Sequence, residues 1–385
     1  MAHAPRKSSM TPSSEVIIVG GGVIGCGIAY ELAGRKVRVT LLEQRQLGSG
    51  ATYASAGMLA PLSDSMCDDA LIELGFGSFA IYKPFLEEAE EIARLSAECL
   101  PSGILRIAKT EEEERRLRAL ADFGNERGLR VEWVSAKHAQ SLEPLLSPAI
   151  RGAAYSPGEP QLSASRLVEV LRRAAIARGA RFREETPVVG LMKRGVKVTG
   201  VRTPQETLSA DAVVLATGAW GRAASQWLGY DVPVAPVRGQ VVYVNKLPRP
   251  LSRTVLHAEA YAVPKGDSTT LVGTTLEHDA GYEQQVTVKG VATMLTNIQS
   301  LLPSVGATTI HHSRAGLRPR NVADDLPILG PAPGNDGATL ALGHYRSGIL
   351  LAPITARLIA DIVTTGKTKG GLGKFSAARL AKSRR

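Results

Sequence analysis

The stretch "EVIIVGGGVIGCGIAYELAGRKVRVTLLEQ", residues 15–44, constrains the fold more than any other part of the chain. Its β-branched apolar run, Val16–Val19, predicts a strand buried on both faces. Glycines at 20, 22 and 25 follow, then a helical pattern through Ala33 and a second strand, Val37–Leu42, ending at Glu43. Gly20 permits a tight turn, Gly22 lets backbone approach a pyrophosphate, and Gly25 lets the helix pack on the strand. The N–H groups at the helix start then face negative charge. Glu43, 18 residues past Gly25, is placed to accept hydrogen bonds from an adenosine ribose. Strand, triplet, helix, strand and terminal acid together predict a dinucleotide-binding α/β fold; the triplet alone would fit any tight turn.

A nicotinamide enzyme would continue into alternating strands and helices. This chain instead gives "LGSGATYASAGMLAP", residues 47–61. Such a small-residue segment either lies along a planar ring and its pyrophosphate, with Ser49, Thr52 and Ser55 as donors, or forms a flexible surface loop. "DAVVLATGAW" (211–220) predicts a strand running into Ala216, Thr217 and Gly218. "LALGHYRSGILLAPITARLIADIV" (340–363) predicts a strand over Thr339–Leu342, a turn at Gly343 and Gly348, and a long helix. The helix start near Ser347–Leu350 presents free N–H groups and a positive dipole end.

"VAPVRGQVVYVN" (234–245) and "AEAYAVPKGDSTTLVGTTLE" (258–277) predict antiparallel strands, the second segment turning at Lys265-Gly266-Asp267-Ser268. In "SRAGLRPRNVADDLPILGP" (313–331) Arg318 sits where proline stops a helix. Two readings stand: an ion pair with Asp324 or Asp325, or a clamp for an anionic substrate.

The length of 385 residues allows two domains, and 39 glycines with few aromatics suit an α/β enzyme. A net charge of +10 suggests nucleic acid or an anionic membrane, but nine of those ten charges lie in residues 1–14 and 367–385. These two segments are expected to be flexible basic tails, leaving a nearly neutral body. Cys26, Cys67 and Cys99 have no metal-ligand spacing and favour a reducing cytoplasm. The apolar stretch Val16–Tyr30 is too short and glycine-rich to span a bilayer, and the first residues lack the apolar core of a signal peptide. His311 and His312 are expected on opposite faces of a strand, His138, His257 and His278 have no partner pattern, and no metal site is expected. "EEEERRLRAL" (111–120) predicts a solvated helix face.

Together these segments resemble the FAD-dependent D-amino acid oxidase superfamily, and its glycine oxidase branch above all. The carrying motifs are "VIIVGGGVIGCGIAYEL", "ATYASAGML", "VVLATGAW", "APVRGQVV", "YAVPKGDSTTLVGTTLEHDAGY", "AGLRPRNVADDLPILGP" and "GHYRSGILLAP". The resemblance implies a Rossmann-like FAD-binding domain built from residues 15–90, 150–225 and 316–366. It implies a substrate domain with a mostly antiparallel sheet from 91–149 and 226–315. Val23 and Ile24 would face the pyrophosphate, with Glu43 and Gln44 at the adenosine end and the Val188 backbone at adenine. Ala51, Thr52, Ala56, Gly57 and Met58 would follow the ribityl chain and ring. Gly218 would join the cofactor wall, and His344, Tyr345, Arg346, Ser347, Gly348, Ile349 and Leu350 would wrap the pyrimidine edge. Tyr261 and Arg318 would bind the substrate carboxylate, with Arg346 close by or paired to a neighbouring carboxylate. Glu259 stands where a relative carries histidine, and Leu276 replaces a pocket methionine, so both bear on substrate size.

The implied reaction is oxidative deamination of glycine or a small amino acid with a free carboxylate. Hydride passes from the α-carbon to the flavin, the imine hydrolyses to an oxo acid and ammonia, and dioxygen or another acceptor takes the electrons. No acid–base residue is needed, because positioning supplies most of the catalysis. FAD is expected to be non-covalent, since no cysteine follows Cys99. The resemblance also implies a homo-oligomer and a link to bacterial thiamine thiazole synthesis. The alternatives are a D-amino acid or sarcosine oxidase or dehydrogenase, a tRNA-modifying flavin oxidase favoured by the basic tail, and a flavin-binding subunit without turnover.

Overall fold

The computed structural model describes residues 15–62 and 68–384, with side chains through Leu380; the tail 1–14 and Cys67 lie outside the described residues. The chain begins β1 (Glu15–Val19), α1 (Val23–Gly34), β2 (Arg38–Leu42), α2 (Asp69–Ala93), β3 (Ile104–Ala108), α3 (Glu111–Glu126), β4 (Glu132–Ser135) and α4 (Ala136–Leu142). It continues through β5 (Gly152–Ser156), α5 (Ala164–Ala177), β6 (Arg181–Arg183), β7 (Gly190–Arg194), β8 (Lys197–Arg202), β9 (Thr207–Ser209), β10 (Ala212–Leu215) and α6 (Gly221–Leu228). The last part holds β11 (Val234–Asn245), β12 (Thr254–His257), β13 (Ala260–Pro264), β14 (Thr270–Gly273), α7 (Val288–Gln299), β15 (Thr309–Asn321), β16 (Ile328–Pro331), β17 (Ala338–Leu342) and α8 (Gly348–Thr365).

β1 has an unbroken apolar run because both of its faces are covered. It lies inside a six-stranded sheet ordered β16-β17-β10-β1-β2-β6, parallel except at β16–β17. Val16 and Ile18 point into a core shared with α1, α2, α5 and α8. Ile17 and Val19 point the other way, toward α6 and the small sheet β7-β8-β9. Gly25 is required where α1 crosses the turn, since a β-carbon there would stand 1.9 Å from the Gly20 carbonyl oxygen. Together with the substrate-side sheet below, this is the mixed α/β class expected from the sequence.

The second sheet runs β15-β11-β14-β13-β12-β3-β5-β4 and is antiparallel except at β12–β3. α7 packs on one face through Met294 and Ile298. The other face carries Val241, Tyr243, Tyr261 and Val263 and meets Ala56 from the small-residue segment. Its strands include β5, and β15 extends to Asn321, so sheet membership crosses the expected segment borders at 150 and 316.

α8 is interrupted chemically by Pro353, which cannot donate to the Ile349 carbonyl four residues back. The Tyr82 hydroxyl donates to that oxygen at 3.1 Å, and Ser78 Oγ donates to the Leu350 carbonyl at 2.6 Å. α2 thereby fixes the first turn of α8. α8 is long and apolar enough to cross a membrane, but 61% of its residues are buried within the fold, among them Leu351, Ala356 and Ile359. Its apolarity is that of a core helix.

Two expectations are corrected here. Residues 367–380 are not a frayed tail: Phe375, Ala377 and Leu380 are buried against the six-stranded sheet and its helices. Arg379 donates to Asp324 at 2.9 Å and to the Leu326 and Pro327 carbonyls, and Lys374 pairs with Asp68 at 2.8 Å. Charge counts alone hide the three apolar anchors between those basic residues. His311 and His312, expected on opposite faces, have ring centroids 4.9 Å apart, because the pairing with β11 slips between Tyr243 and Val244. A bulge breaks the two-residue alternation that the expectation assumed.

Candidate active site

A cleft opens between the two large sheets, walled by the glycine turn, the 48–58 segment, residues 216–220 and the start of α8. At one end Gly20 holds φ at +110°, and its neighbour Gly21 donates its N–H to Glu43 Oε2 at 2.7 Å. The other Glu43 oxygen accepts from the Arg45 N–H at 2.9 Å. Glu43 thus braces the turn as well as lining the cleft beside Gln44, with Val188 on the same wall. Gly22, Val23 and Ile24 line the cleft too; a β-carbon at Gly22 would meet only Thr52 Oγ1, at 3.7 Å. Gly25 does not line it, and its part is the helix packing described above.

The small-residue segment is not a flexible surface loop. Ala51–Ala54 form a short 3-10 turn, and Thr52 Oγ1 accepts the N–H of Val23 at 3.3 Å, satisfying one of the unpaired donors at the start of α1. Gly57, with φ +76°, packs so tightly that a β-carbon would lie 1.9 Å from the Leu162 carbonyl. Beneath it Lys265 is half-buried, its Nζ donating to the Ala56 carbonyl at 2.6 Å and to Gln161 Oε1 at 2.7 Å. Burial pulls that ammonium down to a pKa of about 7. Ala51, Thr52, Ala56, Gly57 and Met58 all line the cleft.

Across from them lie Gly218, His344, Tyr345, Arg346, Ser347, Gly348, Ile349 and Leu350. Tyr345 adopts φ +44°, and its N–H donates to the Pro319 carbonyl at 2.9 Å, stitching this turn to β15. His344 is buried and shares a hydrogen bond of 3.1 Å with Thr355 Oγ1. Burial drops its pKa to about 3, so the ring stays neutral and contributes structure, with no charge.

Arg318 is a strand residue. β15 pairs with β11 through it, opposite Val237, on the cleft face. Its Nη1 donates to the Thr275 carbonyl at 3.0 Å and its Nη2 to Thr274 Oγ1 at 2.7 Å. The ion-pair reading fails: Arg320 holds Asp325 at 2.6 Å, and Arg379 holds Asp324. Arg318 is half-buried, its partial desolvation lowers its pKa, and it has no carboxylate partner among the described residues. Tyr261 pairs opposite Gly273 on the same face, with its ring where a β-carbon of Gly273 would stand. Gly316 admits the 3-10 turn, since a β-carbon would lie 2.9 Å from Ala54 Cβ. Arg346 lines the cleft and pairs with Glu259, whereas Leu276 does not line it. Thr274 and Thr275 occupy the guanidinium's surroundings instead.

Several wall residues carried no sequence signal. Gly239 and Thr274 reach the site through strand pairing over long separations, and Arg45 joins it by lying 5.0 Å from the Trp220 ring. Thr217 did have a signal, in the strand-to-turn run "LATGAW". Its hydroxyl is buried in the cleft wall with no hydrogen-bond partner.

The chain belongs to the FAD-dependent oxidoreductase family (DAO), whose match covers residues 15–362. Within that family it is an amino acid oxidase by its relatives. It is 36% identical to the glycine oxidase of Geobacillus kaustophilus over 96% of this chain and 98% of that one, and 34% identical to the glycine oxidase of Pseudomonas putida over 91% and 95%. The crystal structure of the Geobacillus kaustophilus enzyme superposes with a TM-score of 0.88 at 35% identity, covering 95% of this chain and 99% of that one. The bifunctional protein ThiO/ThiG of Trichormus variabilis is 34% identical over 96% of this chain, which spans 55% of that longer protein.

FAD is the cofactor, and the cleft fits it. The lone Thr217 hydroxyl awaits a polar partner, Gly22 leaves its face clear, and the glycine turn and α1 start present backbone N–H groups.

Proposed function

We propose that this protein oxidises glycine and small amino acids bearing a free α-carboxylate, giving an oxo acid, ammonia and hydrogen peroxide. The observation that carries this is Arg318, half-buried in the cleft wall with no carboxylate partner among the described residues. Its two described bonds go to neutral oxygens, and a partly desolvated cation without an anion is unfavourable. A substrate carboxylate restores the balance and takes the planar fork in two-point geometry.

Bound FAD supplies an acceptor for the two electrons that leave the substrate α-carbon as hydride. The chain's own residues do the positioning. Thr274 and Thr275 hold the guanidinium, which with the Tyr261 hydroxyl fixes the carboxylate end. The substrate amine enters neutral, and its lone pair forms the C=N bond as the α-hydrogen departs. Water then adds to the imine. For glycine, one dioxygen and one water are consumed for each glyoxylate, ammonia and hydrogen peroxide formed. Tyr261, Arg318 and Arg346 are assigned to substrate, and the remaining cleft residues to non-covalent FAD, in the order expected from the sequence. The expected division into an FAD-binding and a substrate domain is kept as part of this proposal, with β5 and residues 316–321 of β15 assigned to the substrate sheet, and the imine is available for thiazole synthesis. Cys26 and Cys99 are unpaired, which supports a reducing compartment.

The test is an amino-acid panel scored by peroxide release from the FAD-loaded protein, run beside anaerobic bleaching of the flavin band. Glycine, sarcosine or small D-amino acids should give both signals, and their relative kcat/KM separates the glycine reading from the sarcosine and D-amino acid readings. A yellow protein that none of them reduces would overturn the proposal.

A further inference from the structure

The stretch of chain that holds Arg318 leaves the sheet ladder to do so. β11 pairs with β14 as far as Val241 opposite Gly273, and a bridge from Arg238 to Glu277 resumes the pairing. Between those points residues 274–276 face residues 239–240 of β11, so the longer side bulges. The bulge meets the guanidinium through the Thr275 carbonyl and the Thr274 hydroxyl. Gln240 ties the bulge down from behind. The Thr274 hydroxyl donates to the Gln240 carbonyl at 3.1 Å, with the Thr275 carbonyl next at 3.3 Å, and keeps its lone pairs for Arg318 Nη2. The Gln240 N–H donates to Thr275 Oγ1 at 3.1 Å.

The side chain of Gln240 is fully buried under the first turn of α7. Its amide donates to Thr287 Oγ1 at 3.1 Å and to Glu277 Oε1 at 2.6 Å, and accepts the Thr287 N–H at 2.8 Å. Gly290 of that turn leaves the room, since a β-carbon there would stand 2.5 Å from the amide. Glu277 is the second anchor. Its Oε1 accepts the Thr275 hydroxyl at 2.6 Å, and its Oε2 accepts Arg238 Nε at 3.1 Å. Burial would raise its carboxyl, but bonds from Arg238, Thr275 and Gln240 outweigh that and hold it below the usual carboxylate range. As an anion it only accepts, so the Thr275 hydroxyl donates to it and takes the Gln240 N–H on a lone pair. Gln240 and Glu277 stand behind the cleft wall and not in it. We propose that both are positioning residues for the reaction. They fix the 274–276 bulge, the bulge fixes the plane of the Arg318 guanidinium, and that plane sets how the substrate carboxylate is received. This rests on the amino acid oxidase reading proposed above.

The test uses FAD-loaded wild type, Gln240→Met and Thr275→Val. Thr275→Val keeps the carbonyl that Arg318 meets and the bonds from Gln240 to Thr287 and Glu277, so it cuts the link without emptying the buried site. In both variants acetate, followed by perturbation of the flavin absorbance, should bind about tenfold more weakly, and KM for glycine should rise about as much. The limiting rate of flavin reduction should change less than about threefold, and FAD affinity less than about twofold. A merely loosened fold would weaken FAD and slow reduction together. Acetate affinity in Thr275→Val equal to wild type, or a loss matched by an equal loss of FAD affinity, overturns the positioning role. If Gln240→Met does not fold, Thr275→Val decides alone. Wild type that binds acetate but oxidises no panel amino acid would sink the functional proposal, whereas the acetate comparison would still decide the positioning role. Wild type that binds no acetate overturns both.

Discussion

Arg318 lies across Gly239 of the neighbouring strand, so closely that a β-carbon at 239 would stand 2.1 Å from Nη1. The guanidinium occupies side-chain space that any other residue would fill. Gly239→Ala should therefore displace the arginine without touching substrate, raising KM for glycine at least tenfold while FAD content is retained. Steady-state kinetics on the FAD-loaded variant decide it; an unaltered KM would mean that this strand does not position Arg318.

Replacing the side chain itself should cost more. Arg318→Met removes one partner of a buried charge–carboxylate contact, which typically costs about 2–5 kcal/mol, or roughly 30- to 4000-fold in kcat/KM. Arg318→Lys keeps the charge and loses the fork, so it should recover only part of that loss. Comparable activity on amines that lack a carboxylate would show that no clamp exists.

Thr217 offers a readout on the cofactor alone. Its buried hydroxyl lacks a partner within the protein, so Thr217→Val should weaken FAD binding by a few-fold to tenfold, the worth of about 0.5–1.5 kcal/mol for one hydrogen bond. The thermal midpoint of the apoprotein should hold or rise. Titration of the apoprotein with FAD, followed by flavin fluorescence, measures the first quantity, and equal affinities would remove Thr217 from the cofactor wall.

His344 predicts a pH dependence with a definite sign. Its imidazole falls from 6.5 to about 3 on burial, so between those values the unfolded chain binds a proton that the folded chain refuses. Stability then declines as pH falls from 6.5 toward 3, at most about 1.4 kcal/mol per pH unit from this group. His344→Gln should flatten that part of the curve. Parallel urea-unfolding curves for the two proteins across pH 4.5–6.5 would contradict the assignment.

The C-terminal segment predicts a stability effect far from the cleft. Phe375 is buried against the α8 side of the six-stranded sheet, and Phe375→Ala should cost about 3 kcal/mol through the cavity it leaves. A urea midpoint equal to wild type would show that the anchor bears no load.

Local patterns were legible where chemistry and geometry are local. The glycine turn, its flanking strands, the hairpin at 265–268 and the start of α8 follow from residues adjacent in the chain. Arg318 was legible as a residue, but its partners were not: Thr274, Thr275 and Gly239 meet it only because β15 pairs with β11 and β11 with β14. The Glu259–Arg346 pair joins positions 87 residues apart, and neither periodicity nor spacing announces it. The packed C-terminal segment was hidden for another reason. Its net charge is strongly positive, while its order comes from three apolar side chains that an average over composition dilutes.

The order of the six-stranded sheet also bears on how the chain comes off the ribosome. β1 and β2 are made first, yet the strand on the other side of β1 is β10 and the one beyond that is β17. Until residues 338–342 emerge, one side of that sheet stays unfinished, with apolar strands open to solvent or to another nascent chain. Pairing over such sequence separations is slow and exposes edges during synthesis. Production in cells should accordingly be limited by chaperone capacity and temperature during translation, more than by the stability of the finished fold.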